Sequence, residues 1–242
     1  MKKQILILAM ICLFFVQAHT VVASERYKYE ETGNAIWDVK TNEKIVAITF
    51  DDGPHTVYTP EILDVLKKYN AKATFFVMGV HAKKFPQLVY REFTEGHEIA
   101  NHTFNHVNGK NLKEELNSTA HIIDHITGTK PTLFRPVGGQ YNDFIINTAA
   151  DNNYLVVLWS WHQDTYDWKR PGVNRIVNKV TSGVKPGDII LLHDAGGDRT
   201  QTVEALDKIL DYLQKNGYEA VTVSELLYRS ISIIPHSIIS IP

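Results

Sequence analysis

A single α/β domain built on a parallel sheet is what this 242-residue sequence predicts, and three observations predict it. From about residue 44 onward, short apolar runs of β-type residues alternate with amphipathic stretches. Strand–helix units repeated in this way require parallel pairing, whether the sheet is wound open or closed into a barrel. No repeat of roughly 20–50 residues and no internal linker divides the chain, and α/β domains of this length routinely fold around one core.

The elements follow in order. Ile45–Phe50 is an apolar run stopped by Asp51-Asp52-Gly53-Pro54, and Pro60–Tyr69 after it carries apolar residues at helical spacing. Thr74–Met78 and Glu98–Asn101 read as the next strands. Leu112–Thr127 is a helix whose Leu112, Leu116, Ala120, Ile123 and Ile126 fall on one stripe. Thr132–Pro136, Leu155–Trp161, Asp188–His193 and Glu219–Val223 complete the strands, with helices over Val173–Val180 and Val203–Asn216. The domain is expected over 44–228. Residues 24–43 read as a short N-terminal extension and 229–242 as an apolar tail holding two prolines.

The first 23 residues stand apart. Met1-Lys2-Lys3 is a basic start, Ile5 to Val16 is unbroken apolar sequence, and Val21-Val22-Ala23 offers small residues before Ser24. That is the layout of a secretory signal peptide cleaved after Ala23, with an uncleaved membrane anchor as the alternative; the run is shorter than the ~20 residues a bilayer span needs. The chain is thus expected to be secreted or associated with the cell wall, without stable membrane insertion once processed, and monomeric. The only cysteine, Cys12, lies in this leader, so the mature chain has neither disulfides nor thiolate metal ligands. With net charge −2 and no basic run longer than two residues, nucleic acid is not an expected partner.

In parallel α/β sheets, sites form outside the carboxyl ends of the strands. Asp51 and Asp52 follow the first strand, His102 and His106 the third, Arg135 ends the fourth, Asp164 and Asp167 follow the fifth, and His193 ends the sixth. His102 and His106 are four apart, one helical turn, so two imidazoles can face one ion. The spacing alone is weak, since 11 histidines in 242 residues give about 0.5 such pairs by chance. A second pair, His121 and His125, falls on the helix face opposite the apolar stripe and reads as a surface pair. Two imidazoles need an anionic partner for a hydrolytic metal site, and Asp51-Asp52 supplies carboxylates that the Gly53-Pro54 turn can bring to one rim.

Thr49-Phe50-Asp51-Asp52-Gly53-Pro54, His102-Thr103-Phe104-Asn105-His106, Phe134-Arg135-Pro136, Asp164-Thr165-Tyr166-Asp167-Trp168 and Leu191-Leu192-His193 resemble, in order, the five motifs of the polysaccharide deacetylases, the NodB-homology domain of carbohydrate esterase family 4. The resemblance spans roughly residues 42–228. It implies a distorted (β/α) barrel of about seven parallel strands. It also implies one divalent metal ion, most often zinc, with cobalt, nickel or manganese as alternatives, held by Asp52, His102 and His106. By the same resemblance Asp51 is the general base, oriented by Arg135, and His193 is the general acid, paired with Asp167. Trp168 walls the substrate pocket and Leu191 lines the groove for the acetyl methyl.

One position departs from the family pattern. Gly138 stands where an aromatic residue, often Tyr, usually offers its backbone N–H to the oxyanion. The expected reaction is hydrolysis of N-acetyl groups from a cell-wall or extracellular polysaccharide, with peptidoglycan first and chitin oligomers second. Alternatives are an O-acetyl esterase on xylan and a non-catalytic sugar-binding homologue. A non-heme iron oxygenase shares the ligand types but needs no free second Asp and no late His.

Overall fold

A computed structural model describes residues 26–231. The expected leader, Cys12 and all but the first three residues of the expected tail lie outside that range. Eight strands form one sheet: β1 (Ala35–Ile36), β2 (Ile45–Asp51), β3 (Thr74–Val77), β4 (Glu98–Asn101), β5 (Leu133–Phe134), β6 (Leu155–Val157), β7 (Ile189–His193) and β8 (Glu219–Val221). Seven of them lie on one path in the order β1-β6-β5-β4-β3-β2-β7, while β8 pairs with the start of β2. Every strand pairing is parallel. The curled sheet is the distorted barrel that the motifs implied. Helices α1 (Tyr58–Lys68), α2 (Gly79–Lys84), α3 (Pro86–Thr94), α4 (Leu112–Thr127), α5 (Asp143–Asp151), α6 (Val173–Thr181), α7 (Thr200–Lys215) and α8 (Val223–Ile231) surround it.

The strands are buried on both faces, as parallel strands between helices and a barrel interior must be. Side chains alternate faces with a period of two. Val46, Ile48 and Phe50 of β2 pack outward with Ile62, Leu66, Leu206 and Leu210 of the flanking helices. Ile45 and Ala47 point inward and meet Phe76, Ala100, Leu133, Val157 and Ile189. Each such large side chain contributes about 1.5–3 kcal/mol on burial.

This alternation aims the site. Stepping two residues along each inward face leads from Ala47 through Thr49 to Asp51, from Ala100 to His102, from Leu133 to Arg135, and from Ile189 through Leu191 to His193. The polar residues are the last inward-facing positions at the carboxyl end of an apolar interior.

The structure departs from the sequence reading in three places. The stretch read as an N-terminal extension supplies β1, which pairs with β6, and Trp37, which is buried in the core. The fifth strand was expected to run to Trp161 but ends at Val157. The chain then crosses toward β7, where Ser160 N–H donates to Ile189 O at 3.0 Å and Asp164 bridges to Leu191. This segment, with Asp38 against Asp188, fills the gap that the sheet leaves open between its edge strands β1 and β7. Last, His102–His106 is not a helical turn but a loop in which Thr103 (φ 67°) and His106 (φ 62°) are left-handed. His121 and His125 are both exposed on α4.

Candidate active site

Two adjacent carboxylates would point to opposite faces of a regular strand. Asp51 is the last residue of β2 and keeps the inward direction, while Asp52 adopts φ 76° and swings back over the same rim. Asp52 Oδ1 then lies 3.4 Å from His102 Nε2 and 3.1 Å from His106 Nε2. The ligand atoms of Asp52, His102 and His106 all fall within 4.8 Å of one another. His102 Nδ1 sits 2.8 Å from the Arg135 carbonyl, which can only accept. Nδ1 therefore carries the proton, and the Nε2 lone pair is free toward Asp52, as a metal-binding imidazole requires. Two imidazole nitrogens and one carboxylate are a donor set suited to a hydrolytic divalent cation. Burial opposes the charge on Asp52, yet the facing imidazoles hold its carboxyl far below the ordinary carboxylate range. The hydrogen bond to Asp52 raises His106 above the usual histidine value.

Beside this trio, Asp51 is fixed differently. Arg135 is fully buried and stacks on Phe76, its guanidinium carbon 4.0 Å from the ring centroid. It donates to Asp51 Oδ1 and Thr49 Oγ1 at 2.8 Å each, and to the carbonyls of Val157 and Leu158 at 2.9 Å each. Asp51 Oδ2 remains turned toward the trio, 4.0 Å from His102 Nε2.

His193 Nδ1 lies 2.7 Å from Asp167 Oδ1, and Asp167 Oδ2 accepts from His193 N–H (2.9 Å) and Thr202 Oγ1 (2.8 Å). Desolvation alone would lower the pKa of His193. The Asp167 charge and hydrogen bond, with Asp51 and Asp52 further off, outweigh it and push the imidazole up to about 9. Burial alone would raise Asp167; the His193 charge and hydrogen bonds reverse that and leave it below its ordinary value. His193 is thus set up as an imidazolium, a group able to give a proton at neutral pH.

These groups open into one cavity of about 430 Å³, lined also by Val137, Gly138, Gly139, Trp159, Asp164, Trp168, Leu191, Gly196 and Arg199. All ten residues expected to form a site (Asp51, Asp52, His102, His106, Arg135, Gly138, Asp167, Trp168, Leu191 and His193) therefore line this cavity or hydrogen-bond to a residue that does. Trp168 is half exposed at its edge.

Further residues support the site or its surroundings. Buried Glu115 of α4 accepts the N–H groups of Phe104 (2.9 Å) and Asn105 (2.6 Å) and so shapes the histidine loop. His81 Nδ1 meets the Asp52 carbonyl at 2.7 Å. Asp194, next after β7, is fully buried and accepts from Thr59. Asp198 pairs with Arg170 at 2.8 Å. His97 is structural: buried, it accepts Ala73 N–H at 3.2 Å, and desolvation drops its pKa to about 4.

Comparison with known proteins places the chain. Residues 38–157 match the family described as Polysaccharide deacetylase. A peptidoglycan-N-acetylglucosamine deacetylase of Bacillus cereus is 51% identical over 210 residues, covering 84% of this chain and 97% of that protein. A chitooligosaccharide deacetylase of Sinorhizobium fredii is 39% identical over 194 residues, 74% of this chain and 89% of the other. The crystal structure of a peptidoglycan N-acetylglucosamine deacetylase in complex with 4-naphthalen-1-yl-N-oxidanyl-benzamide superposes with a TM-score of 0.79 at 37% identity, over 83% and 95% of the two chains. Five ordered motifs, a curled parallel barrel and relatives matched along nearly their whole length converge: the chain belongs to the polysaccharide deacetylases, the NodB-homology hydrolases of carbohydrate esterase family 4.

Proposed function

We propose that this deacetylase acts outside the cytoplasm on peptidoglycan, removing acetate from its N-acetylglucosamine residues with the help of a divalent cation, zinc by preference. The observation that carries the reading is the single cavity in which the Asp52, His102 and His106 trio lies between an Arg135-held Asp51 and an Asp167-held His193. The substrate follows from the 51% identical relative, whose name specifies that sugar polymer, and chitin oligomers come second on the strength of the 39% identical one.

When bound, the cation supplies Lewis acidity toward the acetamide carbonyl and the attacking water. Asp51 Oδ2, the oxygen not taken by Arg135, accepts the proton of that water. His193 delivers a proton to the departing nitrogen, without which an amine leaves poorly. The Gly138 backbone N–H donates to the oxyanion, an interaction typically worth about 3 kcal/mol. Leu191 and Trp168 border the acetyl group and the sugar.

The test is acetate release from peptidoglycan, chitin oligomers and acetylxylan by the metal-loaded protein, with and without chelator, beside Asp51→Asn. Acetate should come fastest from peptidoglycan, stop with chelator, and fall by about 10²–10⁴ in the variant. Release from acetylxylan alone would make the protein an esterase. No release from any of the three would overturn the reading.

A further inference from the structure

The two oxygens of Asp52 face different neighbours. Oδ1 looks at the imidazoles of His102 and His106. Oδ2 is backed by the turn that follows β7: a Cβ built on Gly196 would sit 2.6 Å from Oδ2 and 3.3 Å from Arg199 Nη2. Gly196 has φ +74°, so the position disfavours a side chain by conformation as well as by space. Its missing side chain lets the backbone close directly behind the carboxylate.

Arg199 holds that turn in shape. Its side chain is buried, Nε donates to Ala195 O at 2.6 Å, Nη2 to Gly196 O at 2.9 Å and Nη1 to Asp198 O at 3.4 Å. Among the described residues no carboxylate comes within ion-pair distance of it, although it lines the same cavity as Asp52. A buried guanidinium is costly without a paired anion. Here its donors are spent on the carbonyls of one turn. At the near end of that turn, Asp194 N–H donates to Asp51 O at 3.2 Å, tying it to the end of β2.

We propose that Gly196 and Arg199 are positioning residues for Asp52: the turn they build is a backstop that keeps Oδ1 toward the two histidines and Oδ2 away from them. The inference rests on reading Asp52, His102 and His106 as a metal site. Outer-shell partners of this kind typically change metal affinity by about 10–100-fold. Neither residue touches the expected ligand nitrogens, so the contacts they make bear on the trio through Asp52.

Gly196→Ala, Arg199→Met and Arg199→Lys should be compared with wild type for Co²⁺ affinity, by competition with a chromophoric chelator, and for the visible absorption of the Co²⁺-loaded protein. Thermal melting of the metal-free proteins runs alongside. Gly196→Ala and Arg199→Met should each bind Co²⁺ about 10–100-fold more weakly with an altered spectrum. Arg199→Lys, which can still reach one carbonyl, should recover part of the loss. Metal-free melting should change far less than the affinity, which a merely structural role would not produce. If Arg199→Met does not fold, Gly196→Ala decides alone, because it removes no hydrogen bond. Wild-type affinity and spectrum in Gly196→Ala overturn the inference while leaving the metal site standing. Failure of wild type itself to bind Co²⁺ or Zn²⁺ overturns the metal reading and the backstop with it.

Discussion

The wall of the cavity that carries the titratable groups and the wall formed by residues 137–139 and 168 are built from different material. On the first, the groups other than His106, which stands on its loop, hang from a strand end or from a buried partner: Arg135 makes four hydrogen bonds, Asp167 is held by His193 and Thr202, and His102 is oriented by a carbonyl. On the second, Val137-Gly138-Gly139 is a single 3₁₀ turn with both glycines left-handed, and Trp168 stands half exposed on another short turn. Proton transfer and metal binding demand atoms fixed to fractions of an ångström. Recognition of a flexible polymer does not, and loops on a rigid scaffold are where such specificity changes most freely.

The sharpest way to break the first wall is Arg135→Met. It deprives buried Asp51 and Thr49 of a donor and leaves the carbonyls of Val157 and Leu158 short of one. Removing one partner of a buried ion pair costs about 3–5 kcal/mol, a large share of a typical domain's stability. Denaturant unfolding should show a loss of that size, with acetate release abolished. A loss below 1 kcal/mol, roughly the worth of a surface pair, would mean that the wall is not braced as described.

Asp167→Asn probes the same wall more gently. His193 has its pKa raised to about 9 by Asp167, against desolvation that lowers it. A group with a raised folded pKa contributes stability that is complete below its unfolded value, near 6.5, and is lost as pH rises through the folded value. As the proton donor, His193 should likewise give activity that falls as pH rises, with an alkaline limb at or below about 9, since a bound cation opposes the imidazolium charge. Asn supplies no charge, so desolvation then dominates. The alkaline limb of kcat/KM should move to lower pH, and an unchanged profile would remove His193 from the role of acid.

How far the sequence could be read follows the same division. Starts of β2, β3, β4 and β6 and both ends of α4 were legible because apolar runs and stripes are long enough to show a period. Asp51, His102, Arg135 and His193 were legible because they sit at strand ends, two steps beyond core positions. What failed was short or irregular. The two residues of β1 carry no pattern, and the strand lies beside Trp37, which only the folded core shows to be buried. The run to Trp161 looks like strand, but the chain must leave β6 to fill the gap beside β7. The histidine loop holds its shape through Glu115, eleven residues from Phe104 on a helix whose sequence gives no hint of it. Arg199, in Gly196-Gly197-Asp198-Arg199, belongs to no apolar run or stripe that would mark it; only the folded turn shows its donors occupied.

The smallest expected effect tests the second wall. A Cβ on Gly139 would strike Trp159 Cη2 at 2.4 Å, whereas a Cβ on Gly138 meets nothing within 4 Å. A side chain at 138 therefore starts into open space, and what opposes its Cβ is the left-handed backbone, φ +63°, worth about 1–2 kcal/mol for a residue with a Cβ. Gly138→Tyr should accordingly fold, melting only a few degrees lower. If the open wall lies on the sugar's path, a ring there adds contact worth about 0.5–1.5 kcal/mol, and KM for chitin oligomers and peptidoglycan should shift roughly 2- to 10-fold. The turnover number should stay within about twofold, because a backbone N–H survives the change of side chain. Gly139→Ala, by contrast, should destabilise the protein more while adding no ring to the cavity. Equal KM values in wild type and Gly138→Tyr would place the sugar elsewhere along the rim and leave Trp168 as the remaining candidate for its wall.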